Sequence, residues 1–235
     1  MLIQKCVCDQ VVDDSFKSFE KNGISCLTCP KCGIVHQKVD LTEKQYYDFY
    51  TDYHMDYQKT LGQVNYQDRY EHDCKIARLR LAKYKPYLRG HRLLDIGSSN
   101  GAFVNEARAI GWDAWGVEPN REICNPENTY HGTLVEQNFY DGEFSVATLH
   151  DVLEHVIDPI TDLKEIYRIL SHKGLMILDM PDYFAPSGKH HWRHIEHLWI
   201  FAQNQLCDLL NTLGWGIVTV DKPIPSKYVI YAEKI

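Results

Sequence analysis

The chain has 235 residues, 44% of them apolar, with a formal net charge of −7, enough apolar material for one α/β domain with a small extension. The acidic balance, without any block of Lys or Arg, argues against a nucleic-acid partner, and no stretch reaches the ~18 consecutive apolar residues of a membrane span. The start, Met-Leu-Ile-Gln-Lys-Cys, lacks the apolar core of a signal peptide, so a cytoplasmic protein is expected, its eight cysteines serving as thiols or metal ligands.

Residues 1–40 read as a metal-binding module. Five of the eight cysteines fall in the first 32 residues, and Cys29-Pro-Lys-Cys32-Gly33 has the form of a thiolate knuckle. Two sulfurs at that spacing bite one metal, and the glycine permits the turn that aims backbone amides at them. Cys6-Val-Cys8 is the partner pair, with one residue between its cysteines instead of two. Cys6, Cys8, Cys29 and Cys32 together make a closed tetrahedral zinc site, with Cys26 or His36 as substitutes for a weaker member. Four protein ligands leave no position for water, so such a site is structural. A segment with so few large apolar residues needs the metal to fold.

Residues 41–89 form a helical, tyrosine-rich connection. Tyr46, Tyr47, Tyr50, Tyr53, Tyr57 and Tyr66, with Phe49 among them, could cover a cleft but are expected to pack on the next domain. Ile76, Leu79, Ala82 and Tyr84 support an amphipathic helix over 69–88, ended by Pro86 and Gly90.

Residues 90–235 alternate strand and helix. Leu93-Leu-Asp95-Ile-Gly97-Ser-Ser99-Asn-Gly101 is a short apolar strand running into a tight glycine turn and then a helix. That geometry holds a nucleoside-containing cofactor at the carboxyl end of a parallel strand. A second strand ends in Glu118, placed to accept both hydroxyls of a ribose. Asp95 occupies the place a pyrophosphate would take in a dinucleotide site, and no basic residue offsets it. The turn therefore suits a ligand with a cationic amino group, and an oxidoreductase fits poorly. Short strands follow over 130–135 and 143–150, a helix over 160–170, the turn Ser171–Gly174, a strand over 175–180, a helix over 203–213 and closing strands near 215–221 and 227–233. Such alternation gives a doubly wound, mostly parallel sheet.

From the Asp95-x-Gly97-x-Ser99-x-Gly101 turn, the chain resembles the class I S-adenosylmethionine-dependent methyltransferases, with Ser99 at the middle glycine of their first motif. The resemblance implies a Rossmann-like, seven-stranded sheet whose last strand is antiparallel and inserted beside the fifth. The run His150-Asp151-Val-Leu-Glu154-His155-Val-Ile-Asp158-Pro159 is similar to the fourth motif of many small-molecule members. By that likeness His150 lines the methionine part of the cofactor and Asp151 lies near the transferred methyl, while Glu154 and His155 fix the loop.

A third cluster, Gly188 to Phe201, concentrates His190, His191, His194, Glu196 and His197 among aromatic residues. A methyl acceptor must lose a proton, and a histidine oriented by a carboxylate suits that base role. With the cysteine-rich module ahead of it, the run ending Glu196-His197 resembles the deoxysugar C-methyltransferases, whose tyrosine position is held here by His194. His197, with Glu196 and His194, is therefore the expected catalytic group, and the first expected acceptor is a nucleotide-linked sugar or similar small polar metabolite. A phenolic or quinone-like acceptor is the alternative, as is a non-catalytic cofactor-binding scaffold with the zinc module as its protein contact. The chain is expected to act as a monomer or homodimer.

Overall fold

The computed structural model describes residues 1–49, 66–193 and 195–235. The main sheet has seven strands in the order β10-β11-β8-β7-β4-β5-β6. At its centre lies β4 (Arg92–Ile96), flanked by β5 (Asp113–Glu118), beyond which lies β6 (Thr129–His131), and by β7 (Phe144–His150). β4 pairs in parallel with both β5 and β7, so the chain reverses its winding at β4. In open α/β sheets that reversal opens a crevice at the carboxyl ends of the strands.

β8 (Leu170–Pro181) continues the parallel set beside β7, and β11 (Lys227–Lys234) inserts antiparallel between β8 and β10 (Trp215–Asp221). The expected antiparallel last strand beside the fifth is thus present. The segment read as a turn, Ser171–Gly174, is an irregularity within β8: Phe144 pairs with Leu170, but Val146 pairs with Leu175. The strand expected over 130–135 divides into β6 and a 3-10 turn over Leu134–Glu136.

Helical residues 43–49 (α1) precede α2 (Tyr66–Tyr84). The buried stripe of α2 is Cys74, Ala77, Leu81 and Tyr84; Leu79, expected on that face, is 68% exposed and Ala82 is exposed too. The stripe follows i, i+3, i+7 spacing, which Leu79 does not share. α3 (Ala102–Ala109) buries Phe103, Val104 and Ala107 on the sheet, each large side chain contributing about 1.5–3 kcal/mol. α4 (Pro159–Ile169) starts at Asp158, whose side chain accepts hydrogen bonds from the amides of Ile160 and Thr161. Proline at the first helical position has no donor to waste there. α5 is Gln203–Thr212.

A second sheet of four strands has the order β1-β2-β3-β9: Lys17–Lys21, Ile24–Thr28, Val35–Gln37 and Trp199–Ile200. Three strands come from the first 40 residues and the fourth from the segment after the main sheet's β8. Val35 pairs with Ile200 and His36 with Trp199, so the small module is built into the cleft side of the larger domain.

Candidate active site and metal centre

The four expected cysteines converge. The sulfurs of Cys6, Cys8, Cys29 and Cys32 all lie within 4.8 Å of one another. Cys6 and Cys32 are 3.4 Å apart, Cys8 and Cys29 3.5 Å. Zinc–sulfur bonds of about 2.3 Å around a tetrahedral ion place sulfurs roughly 3.8 Å apart, so the spacing fits zinc. Backbone amides serve the sulfurs: Cys8 bonds Cys6, Lys31 and Cys32 bond Cys29, and Ile34 bonds Cys32. The one-residue spacing of Cys6 and Cys8 is accommodated because Asp9 turns with φ +65, as Gly33 does at +72. Cys26 lies apart, its thiol against the Ile24 carbonyl. His36 is wedged between Phe16 and Trp199. Neither substitute belongs to the four-sulfur group.

A cavity of about 850 Å³ opens at the carboxyl ends of β4, β5 and β7. Asp95, Gly97, Ser99, Glu118, His150 and Asp151 line it. Gly101 does not; it sits at the amino end of α3 with φ +73 and shapes the turn from behind. Glu118, 5% exposed, accepts hydrogen bonds from the amides of Ser99 (2.8 Å) and Asn120 (2.9 Å). Burial pushes its carboxyl above the usual range, against the pull of those two amides. Both oxygens are thereby fixed at the cavity wall. Ser99 itself has φ +49, a left-handed conformation that costs a non-glycine residue on the order of 1 kcal/mol. The serine is tolerated because its amide is spent on Glu118.

Asp95 accepts a hydrogen bond from the Thr148 hydroxyl (2.6 Å) and lies 3.2 Å from Nδ1 of His150. His150 stacks on Tyr84 and abuts Phe103. Burial, aided by the Arg80 charge, lowers its pKa, so its ring is neutral at pH 7. Asp151 has φ +55 and an ion pair to Lys227 from β11. Lys227 also meets Asp179 at 3.3 Å, whose other oxygen holds Arg80 at 2.7 Å. Burial opposes charge here, but the cations keep Asp151 ionised and the carboxylates keep Lys227 protonated. This alternating chain of four charges braces the floor of the cavity.

Glu196 lines the cavity and pairs with Arg193 at 3.3 Å. His197 lies one layer deeper, 5% exposed, with Nδ1 2.8 Å from the Tyr183 hydroxyl. Its ring packs edge-on against His155, which does line the cavity. Burial pushes the pKa of His197 well below the ordinary value, and the neighbouring His155 adds to the effect. His194 lies outside the described residues. Tyr46 and Tyr47 line the cavity, and the Tyr46 hydroxyl donates to the carbonyl of His155 at 2.7 Å. Tyr50, Tyr53 and Tyr57 lie outside the described residues, as does the side chain of Tyr66.

Sequence reasoning missed Arg80, Lys227 and Asp73. Asp73 accepts from Asn100 (2.7 Å) and Arg69 (2.9 Å), tying α2 to the glycine turn. One signal was available for Arg80: a charge beside the buried stripe Ala77, Leu81 and Tyr84.

Residues 66–220 match the family model described as a methyltransferase domain, and the chain belongs to that family. An uncharacterized methyltransferase from Mycobacterium sp. (strain KMS) is 32% identical over 108 residues, 43% of each chain. One from Mycolicibacterium vanbaalenii is 32% identical over 110 residues, with the same shares. The matched segment thus spans about 43% of the length of these curated relatives.

Among solved structures, 1,6-didemethyltoxoflavin-N1-methyltransferase from Burkholderia thailandensis, with bound 1,6-didemethyltoxoflavin and S-adenosylhomocysteine, has a TM-score of 0.62 at 16% identity. The match covers 93% of this chain and 99% of that one. A SAM-dependent methyltransferase from Archaeoglobus fulgidus scores 0.59 at 17% identity, covering 72% and 100%. A possible histamine N-methyltransferase from Thermotoga maritima scores 0.57 at 20% identity, covering 81% and 98%. The shared element is the S-adenosylmethionine-dependent methyltransferase fold. Among the described residues no helix is long and apolar enough to cross a membrane.

Proposed function

We propose that this chain transfers a methyl group from S-adenosylmethionine to a small, phosphate-free aromatic acceptor with a phenolic or quinone-like ring. The observation that carries this reading is the composition of the cavity lining. Tyr46, Tyr47, Val156 and Ile157 line it with rings and apolar groups, and Glu43, Glu136, Asp158 and Glu196 line it with carboxylates. The lining arginines, Arg69 and Arg80, are paired with Asp73 and Asp179. A nucleotide-linked sugar would bring a diphosphate against those carboxylates, so the electrostatics favour an uncharged acceptor. The Burkholderia thailandensis N1-methyltransferase, which holds 1,6-didemethyltoxoflavin in the same fold, supports a small-molecule acceptor.

When bound, the cofactor supplies an electrophilic methyl on a sulfonium. Glu118 would hold the ribose, and the turn Gly97–Gly101 with Asp95 and His150 would receive the methionine part. Asp151, braced by Lys227, borders the reacting position. Alignment of acceptor and methyl is the main catalytic demand in such a transfer. His155 at the wall and Glu196 at the rim border the place where the acceptor would lose its proton, with His197 and Glu154 behind them.

The test is a calorimetric titration with S-adenosylhomocysteine, followed by an assay of its release with catechols, hydroquinones and nucleotide sugars. Binding near one per chain with turnover of a phenolic acceptor supports the reading. Turnover confined to nucleotide sugars overturns the acceptor class, and a folded sample that binds no S-adenosylhomocysteine overturns methyl transfer.

A further inference from the structure

Behind the acceptor end of the cavity lies a second group of metal-ligand type. Glu154, His155 and His197 each offer one donor atom, and the three atoms lie within 4.8 Å of one another. Glu154 is fully buried, and neither carboxylate oxygen has a hydrogen-bond partner among the described residues. A carboxyl group held that way is strongly unfavourable as an anion unless a cation or a proton compensates it.

The surrounding geometry prepares the histidines for one of these. His155 Nδ1 is 2.7 Å from the carbonyl oxygen of Glu196. A carbonyl only accepts, so Nδ1 carries the hydrogen and Nε2 the lone pair, 4.0 Å from Glu154 Oε1. A backbone carbonyl on the outer nitrogen is how metal-binding histidines are commonly oriented. The ring of His197 stands edge-on to His155 with centroids 4.7 Å apart, and the Tyr183 hydroxyl fixes it. Asp151, tied to Lys227, is the next anion toward the cavity.

We propose that Glu154, His155 and His197 bind one divalent first-row transition-metal cation at the acceptor end of the cleft, separate from the four-cysteine centre. Two imidazoles and one carboxylate are a donor set that binds such ions and leaves coordination positions open. Bonds of about 2.0–2.1 Å around a tetrahedral ion place ligand atoms roughly 3.4 Å apart, so shifts of about an ångström close the present spacing. The ion supplies the positive charge that Glu154 lacks. Its role rests on the proposed transfer to a phenolic acceptor: the oxygen would take an open position and give its proton to water, then attack the methyl carbon as the carbon–sulfur bond breaks and S-adenosylhomocysteine leaves.

The test titrates the metal-free full chain with cobalt(II), whose first equivalent fills the four-cysteine centre, and follows uptake by equilibrium dialysis and visible absorption. A further equivalent without sulfur-to-metal charge-transfer bands is expected, with at least a tenfold loss of its affinity in Glu154→Gln and in His197→Gln. Thiolate bands from cobalt at the cysteine centre and circular dichroism report whether each variant folds; if one does not, the other and the wild-type stoichiometry decide. A wild-type protein that takes up cobalt only with thiolate bands overturns the proposal, as does a further equivalent unchanged in both folded variants. S-adenosylhomocysteine titration of the same samples separates the readings. Normal binding without the cation sinks only the metal site, whereas absent binding sinks methyl transfer.

Discussion

The amide of Ile195 donates to Oε1 of Gln37 at 2.9 Å, across 158 positions of sequence. Gln37 is 1% exposed, its Nε2 donates to the carbonyl of Arg193, and its own amide donates to the carbonyl of Leu198 at 2.8 Å. One side chain from the cysteine-rich module thus clamps the loop that carries Glu196, where Ile195 sits at φ +66.

Replacing Gln37 by Met keeps the volume and removes both side-chain bonds. Leaving the Ile195 amide unpaired costs about 1–3 kcal/mol. The expected result is a lower thermal midpoint and a several-fold rise in acceptor KM, with S-adenosylhomocysteine affinity unchanged. A variant with wild-type KM would show that the clamp has no bearing on acceptor binding.

Glu118→Ala removes the expected ribose ligand and leaves the amides of Ser99 and Asn120 without their acceptor. Hydrogen bonds to a charged group are each worth about 1.5–3 kcal/mol, so S-adenosylhomocysteine should bind roughly 100-fold more weakly. Calorimetry checks this, and an affinity within threefold of wild type assigns the ribose elsewhere.

At Gly97, φ is +68 and a Cβ would stand 2.5 Å from Cγ2 of Val152. Gly97→Ala is expected to cost about 2 kcal/mol, from left-handed strain and overpacking together. The double variant Gly97→Ala/Val152→Ala should recover the steric part and retain the backbone part. Denaturant unfolding of the single and double variants separates the two; identical stabilities would rule out the clash.

Asp162, in the first turn of α4, has its pKa pushed up to about 7 by burial and by Asp158 and Glu165. The folded state therefore holds this proton more tightly than the unfolded state. Its favourable contribution is full below about pH 4 and is lost as pH rises toward 7. Asp162→Asn should accordingly raise the thermal midpoint at pH 8 and leave it unchanged near pH 4. Parallel melting curves across that range for both proteins would count against the assignment.

The parts of the site legible in the sequence are those where neighbours in the chain are neighbours in space. Asp95 and Gly97 follow one apolar strand, and Asp158-Pro159 announces α4 within two residues. The four cysteines were legible because chelation has a spacing of its own. Lys227, Asp179 and Arg80 meet only because β11 inserts beside β8 and α2 crosses their ends. The depth of His197 was equally hidden: the same Glu-His pair fits a cavity wall or the layer beneath it, and Tyr183 decides which. β9, two residues long, has no periodicity to read.

The pairing of β3 with β9 has a consequence for biosynthesis. As the chain leaves the ribosome, the cysteine-rich module emerges with an open edge strand and an unpaired Gln37, whose side-chain partner Arg193 follows 156 residues later. An exposed strand edge is a template for pairing with other chains. The four cysteines can come together early, but the sheet itself is completed only when β9 of the catalytic domain arrives to pair with β3. Errors late in the chain are therefore expected to appear as aggregation that starts at its beginning.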